Sequence, residues 1–179
     1  DHPRENLLFG PSPVHPLDRL TAHLGGARLW AKREDCNSGL AFGGNKTRKL
    51  EFLAAEAREQ GKRMLISAGA IQSNHCRQTA ALAAQMGLGC VLVLSGEEPE
   101  QASGNVLLDK LFGAEIVWTT REKRSAALKA AFDTAWEAGR RPYMIPLGAS
   151  NGLGAAAFHD AFEEMTQQLG QIKVDWLVV

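Results

Sequence analysis

The stretch SGLAFGGNKTRKLEFL, Ser38 to Leu53, sets three glycines and three basic side chains, Lys46, Arg48 and Lys49, ahead of an apolar run. Glycines before a lysine invite a phosphate-cradling loop, but GxxxxGK[ST] works only when consecutive backbone N–H groups wrap the phosphates. Counted from Gly39, the second glycine falls at Gly44, and Asn45 then takes the lysine's place. The spacing misses a nucleotide loop by one residue. A second chemical use of Lys46 is as a Schiff-base amine in the first turn of its helix. Such a lysine must be neutral to attack a carbonyl, a state that burial, the helix dipole and a neighbouring cation all favour. The structural alternative is that Lys46, Arg48 and Lys49 form a solvated cationic patch. Cations at a helix N-terminus are electrostatically misplaced unless an anion binds there.

Two further junctions carry polar groups. In SAGAIQSNHCRQ, Ser67 to Gln78, small residues turn the chain and Ser73 stands as an N-cap. Gln72, Ser73, Asn74 and His75 then lie beside free backbone N–H groups, an arrangement suited to a substrate carboxylate. Capping and anion binding are both open, and they do not exclude each other. In PLGASNGLGAAAF, Pro146 to Phe158, Gly152, Gly154 and Ala157 match GxGxxA at a helix start. A dinucleotide fold needs an acidic residue closing the next strand, and Asp175 opens its strand instead. Glycines serving a helix start explain that segment better. His15 and His23 stand apart from the junctions, and His159 adjoins an apolar helix face, which favours a structural role.

The elements that position these residues follow from hydrophobic periodicity. Strands are expected at LWAKRED, RMLIS, CVLVLS, AEIVWTT, PYMIP and DWLVV, and the Pro11, Pro13, Pro16 run reads as an extended arm. Between the strands, Asn45 to Gln60 places Leu50, Leu53, Ala54 and Ala57 on one helix face. Four more helices follow. One repeats Leu128, Phe132 and Trp136 every four residues, and the last presents Phe158, Phe162, Met165 and Leu169 as its apolar face. This alternation implies βαβ crossovers and a mostly parallel α/β sheet, in which ligands sit where strand C-termini meet helix N-termini.

The 179 residues suffice for a substantial core; 20 basic residues balance 20 acidic ones, so no charge excess points to nucleic acid or an anionic membrane. No apolar run approaches the roughly 20 residues that span a bilayer, and the first residues lack the profile of a secretory signal. Cys36, Cys76 and Cys90 are odd in number and lack zinc-ligand spacing, so free thiols in a cytoplasmic protein are expected. The chain begins at Asp1 and ends on the apolar DWLVV, which reads as a buried strand of a longer protein.

AKREDCNSGLAFGGNKTRKLEFL followed by GAIQSNHCRQTAALAAQMGL, with PYMIPLGASNGLG further on, resembles the fold type II pyridoxal-phosphate (PLP) enzymes. Within them it is similar to the D-cysteine desulfhydrase and 1-aminocyclopropane-1-carboxylate (ACC) deaminase branch, from about Leu8 to the last residue. The resemblance implies two open, mostly parallel twisted sheets with flanking helices, of which about the N-terminal half is present. Residues 46–151 would form the smaller domain. Residues 1–45 and 152–179 would belong to the larger, whose glycine-rich phosphate loop would follow Val179. It also implies that Lys46 forms a Schiff base with PLP, that Asn74 bonds the cofactor's ring hydroxyl, and that Lys49 lies near its phosphate. Ser73 would bind the substrate carboxylate or move a proton, with Gln72 and His75 lining the pocket. A small amino acid is the implied substrate, and a cytoplasmic homodimer the expected assembly. LAFGGNKTRKLE leans towards ACC deaminases and GAIQSNHCRQTAA, through His75, towards desulfhydrases. D-cysteine is therefore the preferred expectation and ACC the alternative. A non-catalytic phosphate- or anion-binding protein is the alternative of another class.

Overall fold

The computed structural model describes residues 2–179. Four parallel strands form the central sheet in the order β5-β4-β3-β6: β3 is Met64–Ala70, β4 Gly89–Ser95, β5 Glu115–Thr119 and β6 Pro142–Met144. Each crossover between them is helical, as a parallel connection requires. Helix α3 (Asn74–Met86) joins β3 to β4, α4 (Gly104–Leu111) joins β4 to β5, and α5 (Arg124–Glu137) joins β5 to β6. The central strands are apolar throughout, since both of their faces are covered. Leu65, Leu92 and Leu94 pack with residues of α2 (Asn45–Glu59) and α3 on one face. Met64, Ile66 and Val91 meet Leu128, Ala131 and Phe132 of α5 on the other.

Outside this sheet, β1 (Val14–Pro16) pairs antiparallel with β2 (Trp30–Lys32), with α1 (Asp18–Leu24) between them. The expected α2 face is buried: Leu50, Leu53, Ala54 and Ala57 are fully covered. The arm before β1 is tied to the same helix through Glu51, whose carboxylate accepts from the N–H groups of Leu7 and Leu8 at 2.9 and 3.1 Å. No helix among the described residues is long and apolar enough to cross a membrane.

Three expectations are corrected. DWLVV is not a strand: Trp176 and Val178 are exposed, and no described strand takes its backbone groups, without which an apolar run gains nothing by extending. The last helix, α6 (Gly152–Leu169), buries Gly154, Ala157 and Ala161 rather than the aromatic stripe, and Phe162 is 58% exposed. Its close packing on α2 selects small side chains, and a Cβ at Gly154 would collide with the Ala149 carbonyl oxygen. That contact explains a glycine in the GxGxxA segment without a dinucleotide. His159 is solvated, its ring 3.8 Å from Asp160 and Glu163, not packed into a core.

Candidate active site

The C-terminal end of β3 is made of Ala68, Gly69 and Ala70, and small side chains there leave room above the sheet. A Cβ at Gly69 would meet Ser73 Cβ at 2.6 Å and Cys76 Sγ at 2.7 Å, so glycine lets α3 begin against the strand. The result is a cleft of ≈ 430 Å³ whose lining includes Lys46, Ser73, Asn74, His75, Arg124 and Gly148. The cleft lies where the C-terminal end of β3 meets the N-terminus of α3.

Lys46 reaches this cleft through a strained loop. Ala41, Phe42, Gly43 and Gly44 all have positive φ, at 45, 67, 66 and 131°. For the non-glycines this costs of order 1–3 kcal/mol each and persists only where surroundings fix it. Here Asn37 Oδ1 accepts from Gly44 N at 3.0 Å. The fully buried Gln78 donates through Nε2 to the Gly43 carbonyl and accepts from Thr47 Oγ1 at 3.2 Å. Gln78 also occupies the space a Cβ at Gly44 would need. The two amides hold the first turn of α2 in place and with it Lys46, half-buried and without a hydrogen bond or ion pair among the described residues.

Helix α3 supplies the facing wall. Ser73 Oγ accepts from Cys76 N at 3.2 Å, so Ser73 is the N-cap. The N–H groups of Asn74 and His75 come too early in the helix to have partners within it. Asn74 Oδ1 is taken by Arg77 and by Asn105 Nδ2, each at 3.0 Å, which leaves its own amide N–H₂ to donate. His75 is buried. Ser67 Oγ lies 3.0 Å from the Ile145 carbonyl, and only the serine proton can bridge that pair. Its 2.8 Å contact with His75 Nε2 therefore has the imidazole donating, and the lone pair resides on Nδ1, which is buried without a partner. Burial foremost, then the charges of Lys46 and Lys49, lower the His75 pKa to about 4, and the ring is neutral. Gln72 turns away: its amide donates to Ser103 O at 3.3 Å and accepts from Asn105 N at 2.7 Å.

The three cations of the opening motif do not form one solvated patch. Arg48 is buried, its guanidinium bonded to Glu34 at 2.6 and 2.8 Å and to Glu164 at 3.0 and 3.2 Å. Burial opposes ionisation of both carboxylates. Hydrogen bonds, from Arg48 and Ser12 to Glu34 and from Arg48 and Lys32 to Glu164, outweigh it and lower both pKa values. Lys49 instead donates to Gly148 O at 3.2 Å and Ser150 Oγ at 3.1 Å beside the cleft, its pKa lowered by burial and by Lys46. Of the residues expected at the site, Lys46, Ser73, Asn74 and His75 meet in one cleft, Lys49 stands at its edge, and Gln72 lies outside. Arg124, Gln78 and Asn37 went unnoticed in the sequence. The junction rule, applied to β5–α5 as well, would have flagged Arg124.

The pyridoxal-phosphate dependent enzyme family model matches residues 6–179. An ACC deaminase of Burkholderia lata is 46% identical over 191 residues, covering 99% of this chain and 56% of the relative. One from Variovorax paradoxus strain S110 is 45% identical over 194 residues, covering 98% and 56%. A crystal structure described as an ACC deaminase homologue superposes with a TM-score of 0.83 at 35% identity, covering 97% of this chain and 52% of that one. The chain spans about half the length of the relatives it matches.

Proposed function

Because the chain belongs to the pyridoxal-phosphate-dependent enzyme family, we propose that it carries the lysine-bearing part of a deaminase that converts ACC and water to 2-oxobutanoate and ammonia. The observation that carries this reading is the unpartnered Lys46 amine facing the free N–H groups of α3 in a cleft whose lining holds no carboxylate. These residues fit PLP. Lys46 Nζ would hold its aldehyde carbon, the Asn74 amide would donate to its ring oxygen, and Lys49 would face its phosphate. Bound there, PLP supplies an electron sink for the bond broken at the substrate's α-carbon. Ser73 and the α3 N–H groups would take the substrate carboxylate. Residues 46–151, which contain the whole four-stranded sheet, would be the smaller domain.

The substrate assignment rests on the relatives, which are named ACC deaminases. It displaces D-cysteine, which His75 alone favoured; that ring is buried and its Nε2 is committed to Ser67. D-cysteine desulfhydration is the second reading, resting on His75 in GAIQSNHCRQTAA and in the cleft lining.

Borohydride reduction of the full-length holoenzyme and peptide mapping should place the pyridoxyl group on Lys46; any other residue sinks the assignment. Assays should give 2-oxobutanoate from ACC. Sulfide and pyruvate from D-cysteine without ACC turnover would transfer the reading to the desulfhydrase.

A further inference from the structure

The cleft receives a helix start from each face of the sheet. Helix α3 arrives from the face covered by α2, and α5 from the opposite face, where Leu128 and Phe132 pack on Met64 and Ile66. The first residue of α5 is Arg124, and it lines the cleft together with Lys46, Ser73 and Asn74. Its guanidinium is half-buried and takes no hydrogen bond or ion pair among the described residues. No side chain caps α5. A cation at the positive end of a helix is unfavourable without an anion. For Arg48, at the start of α2, Glu34 and Glu164 supply that anion. For Arg124 nothing in the lining does, because no lining residue is acidic.

A second group in the same lining also lacks its partner. The buried His75 keeps a bare Nδ1 lone pair, which needs an N–H or O–H donor. An α-amino acid carries the carboxylate that the guanidinium lacks. The position of Arg124 selects the carboxylate rather than the cofactor's phosphate. Arg124 shares the cleft lining with Ser73 and Asn74 at the start of α3. Lys49 is anchored to Gly148 and Ser150 before α6. Lys49 already offers the phosphate a cation at the Gly148 edge, which leaves Arg124 for the carboxylate.

We propose that Arg124 binds the substrate's α-carboxylate, closing on it from the α5 face while the α3 N–H groups hold it from the other. This rests on the amino-acid lyase reading and names its carboxylate ligand. A planar guanidinium pairs with a carboxylate through two parallel hydrogen bonds, so Arg124 makes the site select α-amino acids over plain amines.

The test compares two ligands that differ only in the carboxylate: 2-aminoisobutyrate, which lacks the strained ring of ACC, and isopropylamine. Calorimetric Kd values are measured on full-length holoenzyme, wild type, Arg124→Gln and Arg124→Lys. Removing a charged hydrogen-bonding partner predicts aminoisobutyrate binding about 10- to 100-fold weaker in Arg124→Gln. Arg124→Lys should fall between, and isopropylamine should bind all three proteins alike. With ACC the variant should raise KM more than it lowers kcat, while the absorbance of lysine-bound PLP stays unchanged. Equal losses for both ligands, no loss for either, or an aminoisobutyrate-silent wild type overturns the proposal. So does weakened PLP binding with aminoisobutyrate affinity retained, which would hand Arg124 to the phosphate. A pyridoxyl group mapped away from Lys46 would sink the cofactor assignment instead, and the Kd comparison would still decide Arg124.

Discussion

Arg48 and Lys46 stand two residues apart at the start of α2, and their charges meet opposite conditions. Arg48 turns into the contact between α2, the N-terminal arm and α6, where Glu34, Glu164 and Ser12 surround it. Lys32 bonds Glu164 as well, so two cations face two carboxylates and that region closes on itself. On the other side of the same helix, Lys46, Lys49 and Arg124 gather around a cleft with no carboxylate in its lining. Charge that is balanced within the chain holds the chain together. Charge left unbalanced at converging helix N-termini is what an anionic cofactor and an anionic substrate would complete.

Breaking the closed region should give the largest loss of stability. Arg48→Met leaves Glu34 without its cation and Glu164 with Lys32 alone. Removing one partner of a buried pair costs about 3–5 kcal/mol, and the partial exposure of both carboxylates places this site at the lower end. Urea unfolding should show that loss, and Arg48→Met/Glu34→Gln should recover much of it by removing the stranded charge. Aminoisobutyrate affinity should stay near that of the wild type in Arg48→Met, the reverse of Arg124→Gln. A variant that loses ligand affinity and stability in parallel would erase the distinction between the two regions.

Much of this architecture can be read from the sequence because local pattern and tertiary demand agree. The apolar runs of β3 and β4 are buried on both faces, and α2 buries the stripe that its spacing marks. Lys46 and Ser73 stand out for a similar reason: each lies at a helix start at a junction, Lys46 in the first turn of α2 and Ser73 as the N-cap of α3. Where the two levels part, the sequence misleads. Phe158 and Phe162 mark an apolar stripe, yet the residues that α6 buries are Gly154, Ala157 and Ala161, small side chains that let it approach α2. Arg124 is hidden among Arg121, Glu122 and Lys123, where only the path of α5 beneath the sheet decides which cation reaches the cleft. Asn37 and Gln78 are ordinary amides until the loop they secure is folded.

Acid titration sharpens the same contrast with a smaller effect. Hydrogen bonds hold the carboxylates of the closed region below their usual pKa, whereas burial, then the cleft cations, lower the His75 pKa from 6.5 to about 4. Between those values an unfolded chain binds a proton that the native ring refuses, so stability falls as the pH drops through that window and is untouched above it. The full span corresponds to about 3 kcal/mol. Asp109 opposes this. It is fully buried with both oxygens unpartnered, and burial raises its pKa from 3.8 to about 7, against a smaller opposing effect of Arg77. Its contribution is present at low pH and lost as the pH rises towards 7. Urea unfolding of His75→Gln at successive pH values should therefore show stability declining from pH 4 to 6.5 relative to wild type, and Asp109→Asn the opposite trend. Parallel curves for all three proteins would mean that neither group titrates differently in the folded state.

The smallest expected change in stability belongs to Ser73, where both kinds of interaction meet in one side chain. Its Oγ accepts from Cys76 N and so caps α3, while the residue lines the cleft in front of the free N–H groups of Asn74 and His75. Ser73→Ala removes the cap and should cost about 0.5–2 kcal/mol. Ser73→Asp keeps an acceptor of equal capping strength and adds negative charge at the positive end of the helix, so folding stability should stay near wild type. The same charge faces any carboxylate that enters, so aminoisobutyrate binding and ACC turnover should collapse in Ser73→Asp while isopropylamine still binds. If no carboxylate enters at this helix start, Ser73→Asp would keep both stability and turnover. A protein folded like the wild type but blind to the carboxylate would show that this helix start keeps its N–H groups for a ligand.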